Sequence, residues 1–220
     1  MQVQAIKPVN RTKIEARRFY DSVSKFYDYM TGSSELRIAK EALGRLNIGE
    51  GESVLEIGIG TGRCLQRISE SVGQEGSAYG IDISTGMLGV AVRRLREAGL
   101  LDRTALCEGD GASLPYGEGV FDAVFMGFTL ELFDTPEIPQ VLRGIRRVLR
   151  QGGRLGIVSM SKGNGAMLRL YEWAHGKWPK YIDCRPIYLE EAIVHAGYSV
   201  EAKWRASMFR LPVEVVIGIN

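Results

Sequence analysis

Carboxylates and glycines follow consecutive predicted strands, and their spacing indicates a nucleoside-like ligand. The segment VLEIGIGTG, residues 54–62, places Glu56 in a strand and then Gly58, Gly60 and Gly62 in a turn that enters a helix. Glycines let such a turn bend sharply and let a ligand approach the backbone. The GxGxG spacing differs from the GxGxxG of dinucleotide binders, and no lysine follows in the register of a phosphate-binding loop. A nucleoside triphosphate is therefore disfavoured.

Two further acids end the next predicted strands. Asp82, in GIDIS, lies 20 residues after Gly62. A carboxylate there can accept hydrogen bonds from both hydroxyls of a ribose, whereas the alternative role of helix N-cap suits Ser84 better. Asp110, in GDGA, can accept from the amino group of adenine or cap its own turn.

These residues need a scaffold in which strands and helices alternate. The predicted strands cover residues 53–57, 78–83, 104–107, 121–126 and 154–160, and the predicted helices 63–72, 85–98 and 136–149. Such alternation predicts a mainly parallel sheet covered on both faces. Two last strands, 198–204 and 213–219, predict an antiparallel hairpin.

The N-terminal part has a different character. Residues 1–18 hold five basic side chains against one acidic, and apolar residues recur at helical spacing over 14–30. This predicts a basic arm that leads into an amphipathic helix, which either packs on the domain or forms a lid or a membrane-surface contact. We divide the chain into a helical extension, 1–50, on the lid and acceptor side, and a ligand-binding domain, 51–220.

Composition excludes several classes of protein. The 220 residues are 45% hydrophobic and 25% charged, which is typical of a globular domain and not of a disordered or fibrous chain. A net charge of +2 argues against a general polyanion binder. The three cysteines and two histidines lack metal-ligand spacing, so we expect no metal and no disulfide framework. Dispersed thiols and the lack of a signal-peptide pattern predict a cytoplasmic protein.

The motifs occur in the order found in class I S-adenosylmethionine-dependent methyltransferases. The chain resembles that family over about residues 15–219, through VLEIGIGTG, GIDIS, GDGASLPYGEGVFDAVF and RRVLRQGGRL. The resemblance implies a Rossmann-like α/β fold, a three-layer sandwich whose seven-stranded, mostly parallel sheet ends in an antiparallel strand. It also implies an enzyme with S-adenosylmethionine as cofactor, in which Glu56 faces the amino-acid end, Asp82 the ribose and Asp110 the adenine. The cofactor-binding residues expected on this basis are Tyr27, Glu56, Gly58, Gly60, Thr61, Gly62, Asp82, Ile83, Met87, Asp110, Gly111 and Gly127.

Within that class the chain is most similar to the ubiquinone/menaquinone C-methyltransferase family. The similarity lies in FYDYM, residues 26–30, and in RVL before the glycine pair at 152–153. It implies methyl transfer to a small apolar or lipid-like acceptor of the quinone-precursor type. The alternatives are N-methylation of a phospholipid amine, methylation of a soluble metabolite, and cofactor binding without catalysis.

Few residues are candidates for contact with the acceptor. Glu131, after the fourth predicted strand, is either a base or counter-charge or an exposed helix-start glutamate. His175, in YEWAHGKW, is either a base or a packed or surface histidine, and Tyr20 and Tyr27 either close over the methyl group or pack. Enzymes of this fold that methylate amino groups of nucleic acid typically carry Asn or Asp, two prolines and an aromatic residue after the fourth strand. Residues 126–131 contain no proline, which disfavours that activity. We expect any membrane contact to be made by the basic N-terminal helix, and the sequence predicts neither the acceptor atom nor the oligomeric state.

Overall fold

A computed structural model describes residues 6, 8–9, 11–163, 165–177 and 184–220, with the side chains of 30–33 and 176 left out of the description. The helices are α1 (Lys13–Val23), α2 (Tyr27–Leu46), α3 (Arg63–Ser71), α4 (Thr85–Glu97), α5 (Ile138–Val148), α6 (Ala166–Lys177) and α7 (Leu189–His195). The strands are β1 (Ser53–Ile57), β2 (Ser77–Asp82), β3 (Thr104–Glu108), β4 (Phe121–Gly127), β5 (Leu149–Met160), β6 (Ser199–Met208) and β7 (Leu211–Ile219).

The seven strands form one sheet in the order β3-β2-β1-β4-β5-β7-β6. Strands β1 to β5 pair in parallel, and β7 runs antiparallel between β5 and β6. The chain order reverses beside β1, and ligands of open α/β sheets bind at the carboxyl ends of the strands at such a point. The predicted fold class is confirmed, and Glu56 lies on the strand at this point.

Helices cover both faces of the sheet. One apolar cluster joins α2, α3 and α4 to one face, through residues such as Ile38, Leu65 and Leu95. A second cluster joins α5 and α7 to the other face, through residues such as Leu142 and Ile193. In α5 the buried side chains recur at helical spacing because one stripe of the helix faces the sheet. The result is a three-layer sandwich.

The predicted single helix over 14–30 is wrong, because the chain forms two helices there. Helix α1 begins at a capping box made by Thr12 and Glu15 and buries none of its residues. Helix α2 continues to Leu46 and buries Ile38 and Ala42 against the sheet. The break at residues 24–26 lets α1 lie across the edge of the sheet while α2 lies on its face.

The largest other differences from the predicted boundaries are in β5 and in the final hairpin. Strand β5 begins at Leu149, not at 154, because Leu149 pairs with Phe121 of β4. The hairpin strands extend until only Phe209 and Arg210 join them. Both extensions depend on pairing with strands distant in sequence, which local residue preferences do not reveal.

Among the described residues, no helix combines the length and the apolar character needed to span a membrane.

Candidate active site

The glycine turn after β1 has a conformation that depends on its glycines. Gly58 has φ of +73°, and its N–H donates to the carbonyl of Ile81 at 2.8 Å. A Cβ atom on Gly58 would lie 2.4 Å from Cγ2 of Thr129, in the segment after β4. The backbone of the turn therefore approaches the end of β4 more closely than any other residue type allows.

Gly62 has a different task from the other turn glycines. It begins α3 with φ of +78°, and a Cβ atom there would lie 2.8 Å from Cβ of Ala91 in α4. Gly62 does not contribute to the wall of the cavity described below. Its place in the sequence motif reflects the packing of α3 on α4.

Asp82 holds the glycine turn in place. Its Oδ2 accepts from the N–H of Gly60 at 2.9 Å, and its Oδ1 accepts from the N–H of Ser84 at 2.9 Å. Burial raises the pKa of Asp82, although these two hydrogen bonds act in the opposite direction. Ser84 in turn caps α4, as its Oγ accepts from the N–H of Met87 at 3.1 Å. Ser84, and not Asp82, is therefore the N-cap residue of α4.

Glu56 presents a buried carboxylate atom with no hydrogen bond to the described residues. The side chain is 3% exposed, and its Oε2 is the atom without a partner. Burial, and secondly the charge of Asp82, raise the pKa of Glu56 well above its usual range. An unpaired buried carboxylate is costly, so a ligand with an ammonium group would find a matching partner here.

A cavity of about 430 Å³ lies over the turn, between the strand ends and the N-terminal helices. Ligand cavities of small molecules generally measure about 300–1,000 Å³. The expected cofactor residues in its wall are Tyr27, Glu56, Gly58, Gly60, Thr61, Asp82, Ile83, Met87, Asp110, Gly111 and Gly127. The structure thus brings together all of the expected cofactor residues except Gly62.

Helix α1 closes one side of this cavity with ion pairs. Lys13 Nζ contacts Asp110 Oδ2 at 2.7 Å and Glu137 Oε1 at 2.6 Å. Burial alone would lower the pKa of Lys13, but the hydrogen bonds to these two carboxylates outweigh it and raise that pKa. Arg17 Nη2 contacts Glu108 Oε1, at the end of β3, at 2.6 Å. The basic arm is therefore attached to the acidic rim of the cavity.

Asp21, near the end of α1, attaches this helix to the start of α4. Its Oδ1 accepts from the Oγ of Ser84 at 2.7 Å and from the N–H of Gly86 at 2.8 Å. Burial acts to raise the pKa of Asp21, but these hydrogen bonds outweigh it and lower that pKa. Carboxylates are favourable at helix N-termini, so α1 is anchored at both of its ends.

The start of α2 is attached to the glycine turn. Thr61 Oγ1 donates to Asp28 Oδ1 at 2.6 Å, Arg94 Nε donates to the carbonyl of Thr61 at 2.9 Å, and Arg94 also pairs with Asp28. Tyr20 of α1 and Tyr27 of α2 meet edge to face, with ring centroids 6.1 Å apart, and both line the cavity. Both helices therefore contribute side chains to the cavity wall.

Neither Glu131 nor His175 lies in the cavity wall. Glu131 is completely buried in the short helix Leu130–Leu132, where its Oε1 accepts from the N–H of Met160 at 3.1 Å and its Oε2 has no partner among the described residues. Burial raises the pKa of Glu131 to about 8. His175, on α6, is 3% exposed. The alternatives of an exposed glutamate at position 131 and a surface histidine at position 175 are therefore wrong. Its sequence neighbour Trp178 lies outside the described residues.

Several residues of the wall were not expected from the sequence. Glu35 and Leu36 come from α2, and Phe128 comes from the segment after β4. Phe128 has φ of +53°, a left-handed conformation that is unfavourable for an aromatic residue and is often found at functional sites. Phe128 could have been predicted as a wall residue, because it directly follows a buried strand and ligands bind at the strand ends of such sheets. Glu35 could not have been predicted from the sequence, because only the packing of α2 on the sheet brings it to the cavity.

The carboxylates in the cavity wall fit the hydrogen-bond donors of S-adenosylmethionine. Glu56 offers an acceptor to an ammonium group, Asp82 to a ribose, and Asp110 to an adenine amino group, although Asp110 Oδ1 also accepts from Ala112 N at 2.9 Å. Among the described residues, no group of three or more His, Cys, Asp and Glu side chains is arranged to hold a metal ion.

Comparison with known proteins identifies the family. A methyltransferase domain family model matches residues 54–153. A demethylmenaquinone methyltransferase of Listeria welshimeri is 31% identical over 161 residues, which are 71% of this chain and 67% of that protein. A demethylmenaquinone methyltransferase of Oceanobacillus iheyensis is 32% identical over 143 residues, or 65% of this chain and 58% of that protein.

Solved structures support the fold. A SAM-dependent methyltransferase from Aquifex aeolicus is 21% identical, with a TM-score of 0.67 over 90% of this chain and 97% of that chain. The [4+2]-cyclase SpnF is 18% identical, with a TM-score of 0.78 over 98% of this chain and 99% of that chain. At these identities the likeness concerns the fold alone. Together with the sequence relatives, it makes this chain a class I S-adenosylmethionine-dependent methyltransferase, related to the menaquinone methyltransferase family.

Proposed function

We propose that the chain methylates a small apolar or lipid-like acceptor of the quinone-precursor type. The named activity of the Listeria and Oceanobacillus relatives supports this acceptor class. The observation that carries the proposal is the set of aromatic and aliphatic side chains in the cavity wall, which includes Tyr20, Leu36, Ala39, Phe128 and Phe133. Flat rings and short aliphatic side chains suit an aromatic acceptor, since apolar surface and ring contacts supply the binding free energy.

The proposed cofactor residues follow the strand ends. Glu56 binds the amino-acid end, Asp82 the ribose and Asp110 the adenine, with Gly58, Gly60 and Thr61 beneath the ligand. S-Adenosylmethionine, when bound, supplies a methyl carbon already activated by its sulfonium. The protein's task is to orient two ligands in a site from which water is excluded, and α1 and α2 serve this task as the lid.

Glu35 is the proposed base of the acceptor side. It lines the cavity. Burial is the main cause of the raised pKa of Cys64, at the start of α3, and of Glu131, and the charge of Glu35 adds to both. Glu56 and Cys64 line the same cavity, and we place Glu35 toward the Glu56 end, where the methyl group is expected. A carboxylate there can take the proton of a phenol, which makes the neighbouring ring carbon nucleophilic.

The test uses methyl-labelled S-adenosylmethionine with demethylmenaquinone kept in its reduced form. We expect label in the organic extract, and we expect Glu35→Gln to lower kcat by about 100-fold, the low end for loss of a base. Glu41, exposed on the same helix α2, provides the control variant Glu41→Gln. Equal turnover by the two variants would remove Glu35 from its role, and the lack of any labelled quinone would remove the acceptor class.

The cofactor assignment has a separate test. Asp82→Ala should weaken cofactor binding in calorimetry by roughly 100-fold, because two hydrogen bonds to a charged acceptor are lost together with the support of the turn. Unchanged thermal unfolding without cofactor would show that the variant is folded. Near-normal cofactor affinity in a folded Asp82→Ala would contradict the assignment.

A cationic amine is the second candidate acceptor. The cavity wall carries more acidic than basic side chains, with Asp28, Glu35, Glu56, Asp82, Asp110, Asp134 and Glu137 against Arg11, Lys13 and Arg63. Such an excess attracts cations, although the positively charged cofactor accounts for part of it. Label transferred to a phospholipid amine or a soluble amine, and not to the quinone, would favour this candidate.

A further inference from the structure

Large exposed apolar side chains are concentrated at one edge of the sheet. In the part of the chain that the structure describes, they are Ile14, Phe26, Tyr29, Met167, Leu170, Trp173, Val194 and Phe209. All except Val194 belong to elements at the carboxyl ends of the parallel strands, where the cavity lies. Single exposed apolar residues are normal on any surface, but their concentration on one side indicates a contact surface.

The topology places α6 and the β6–β7 turn at this edge. Helix α6 follows β5. The last residue of β5, Met160, pairs with Val213, near the start of the antiparallel β7. The turn at 209–210 therefore extends beyond the same end of the sheet as α6. Leu168 of α6 and Leu211 of β7 belong to one small apolar cluster with Met160, so helix and turn are neighbours.

The outer face of α6 is apolar with basic flanks. Met167, Leu170 and Trp173 recur every three residues and are 41%, 57% and 52% exposed, whereas Leu168 is buried. Arg169 and Lys177 are exposed on the same helix, and Lys177 Nζ lies 5.9 Å from the ring centroid of Trp173. The acidic residue of α6, Glu172, pairs instead with the buried Lys162.

The turn between β6 and β7 is strained. Phe209 and Arg210 have φ of +51° and +64°, the conformation of a two-residue turn that strongly prefers Asn-Gly. The left-handed conformation is unfavourable for residues other than glycine, because the Cβ atom approaches the following carbonyl oxygen. Phe209 is nevertheless 66% exposed, so burial of its ring does not offset the strain. A residue that breaks a local rule without a gain inside the fold indicates a role outside it.

We propose that this edge docks on the surface of an anionic lipid bilayer. We call it the docking edge and define it by Met167, Leu170, Trp173, Phe209, Arg169, Lys177 and Arg210. Apolar and aromatic side chains with arginine and lysine beside them match the acyl–headgroup boundary and its negative charge. Basic flanks select this occupant over a second copy of the chain, which would bring like charges together. The surface requires neither the cofactor nor the proposed acceptor, so it goes beyond the proposed function.

The test is co-sedimentation of the full chain with vesicles, without cofactor or acceptor. We expect binding to vesicles of phosphatidylcholine with about 30% phosphatidylglycerol, weaker binding to phosphatidylcholine alone, and weaker binding at about 0.5 M salt. Leu170→Gln with Trp173→Gln should lower the partition coefficient roughly tenfold, since two apolar side chains no longer enter the lipid. Val194→Gln, on α7 away from the edge, should leave it within about twofold.

A second variant separates docking from folding. Phe209→Asn with Arg210→Gly introduces the preferred turn sequence, so the thermal midpoint should stay or rise while vesicle binding falls. Binding by these variants equal to that of Val194→Gln would overturn the proposal, and so would the absence of binding to anionic vesicles. A dimer in light scattering that the same variants dissociate would also overturn it, because the edge would then be a protein interface.

Discussion

Replacing Glu131 with glutamine removes a carboxyl that is completely buried between the short helix Leu130–Leu132 and the end of β5. The amide oxygen can still accept from the N–H of Met160, whereas the new NH2 group occupies the place of an oxygen that has no partner among the described residues. The variant keeps the shape and loses the charge. It therefore isolates the effect of ionising this one group.

The size of the effect follows from the pKa of Glu131, which burial raises from 4.5 to about 8. Between these values the folded protein holds a proton that the unfolded chain has released, so the carboxyl costs more stability as the pH rises. Above the folded pKa the cost is complete, at about 5 kcal/mol from about 1.4 kcal/mol for each pH unit. At low pH the wild-type group is a neutral acid and carries no such cost.

The assay is urea unfolding of both proteins at about pH 5, 7 and 9. At low pH we expect glutamine to be neutral or to destabilise by about 1 kcal/mol, because the buried NH2 group lacks an acceptor. As the pH rises, the free energy of unfolding of the variant should increase relative to that of the wild type, by up to about 5 kcal/mol. Glu97→Gln, at the exposed end of α4, controls for the loss of one negative charge. A difference between wild type and Glu131→Gln that does not change with pH would refute the reasoning.

Three further substitutions test the turn and the lid. Gly58→Ala should destabilise by about 2–3 kcal/mol in thermal unfolding, because its Cβ would lie 2.4 Å from Thr129 while φ is +73°. Gly60→Ala, with φ of +52° and nothing within 4 Å, should cost only about 1 kcal/mol; equal costs would mean that the contact with Thr129 is unimportant. Lys13→Ala should change stability by less than about 1 kcal/mol, since its ion pairs are partly exposed, yet speed cofactor dissociation in stopped-flow measurements because α1 loses its attachment to Asp110. An unchanged dissociation rate would show that this attachment does not hold the lid.

Much of the fold was predictable because it depends on short-range patterns. The alternation of strands and helices predicts the layers, and β1, β2 and β4 lie where their apolar runs predict them. Helices α6 and α7 were not predicted. The other main exceptions are the N-terminal helices, the start of β5 and the length of the final hairpin. Each of these depends on a partner distant in sequence, such as the pairing of Leu149 with Phe121.

The floor of the candidate site could be predicted without the three-dimensional structure. Gly58 and Asp82 can be predicted from sequence because turn conformation and strand-end acids are set within a few residues. The walls depend on how distant segments pack, because this packing buries Glu131 away from the cavity lining and brings Glu35 into it. The packing also pairs Lys13 with Asp110, which is 97 residues away. Where a helix docks depends on packing between distant segments, and no local spacing encodes which of its side chains then faces a ligand.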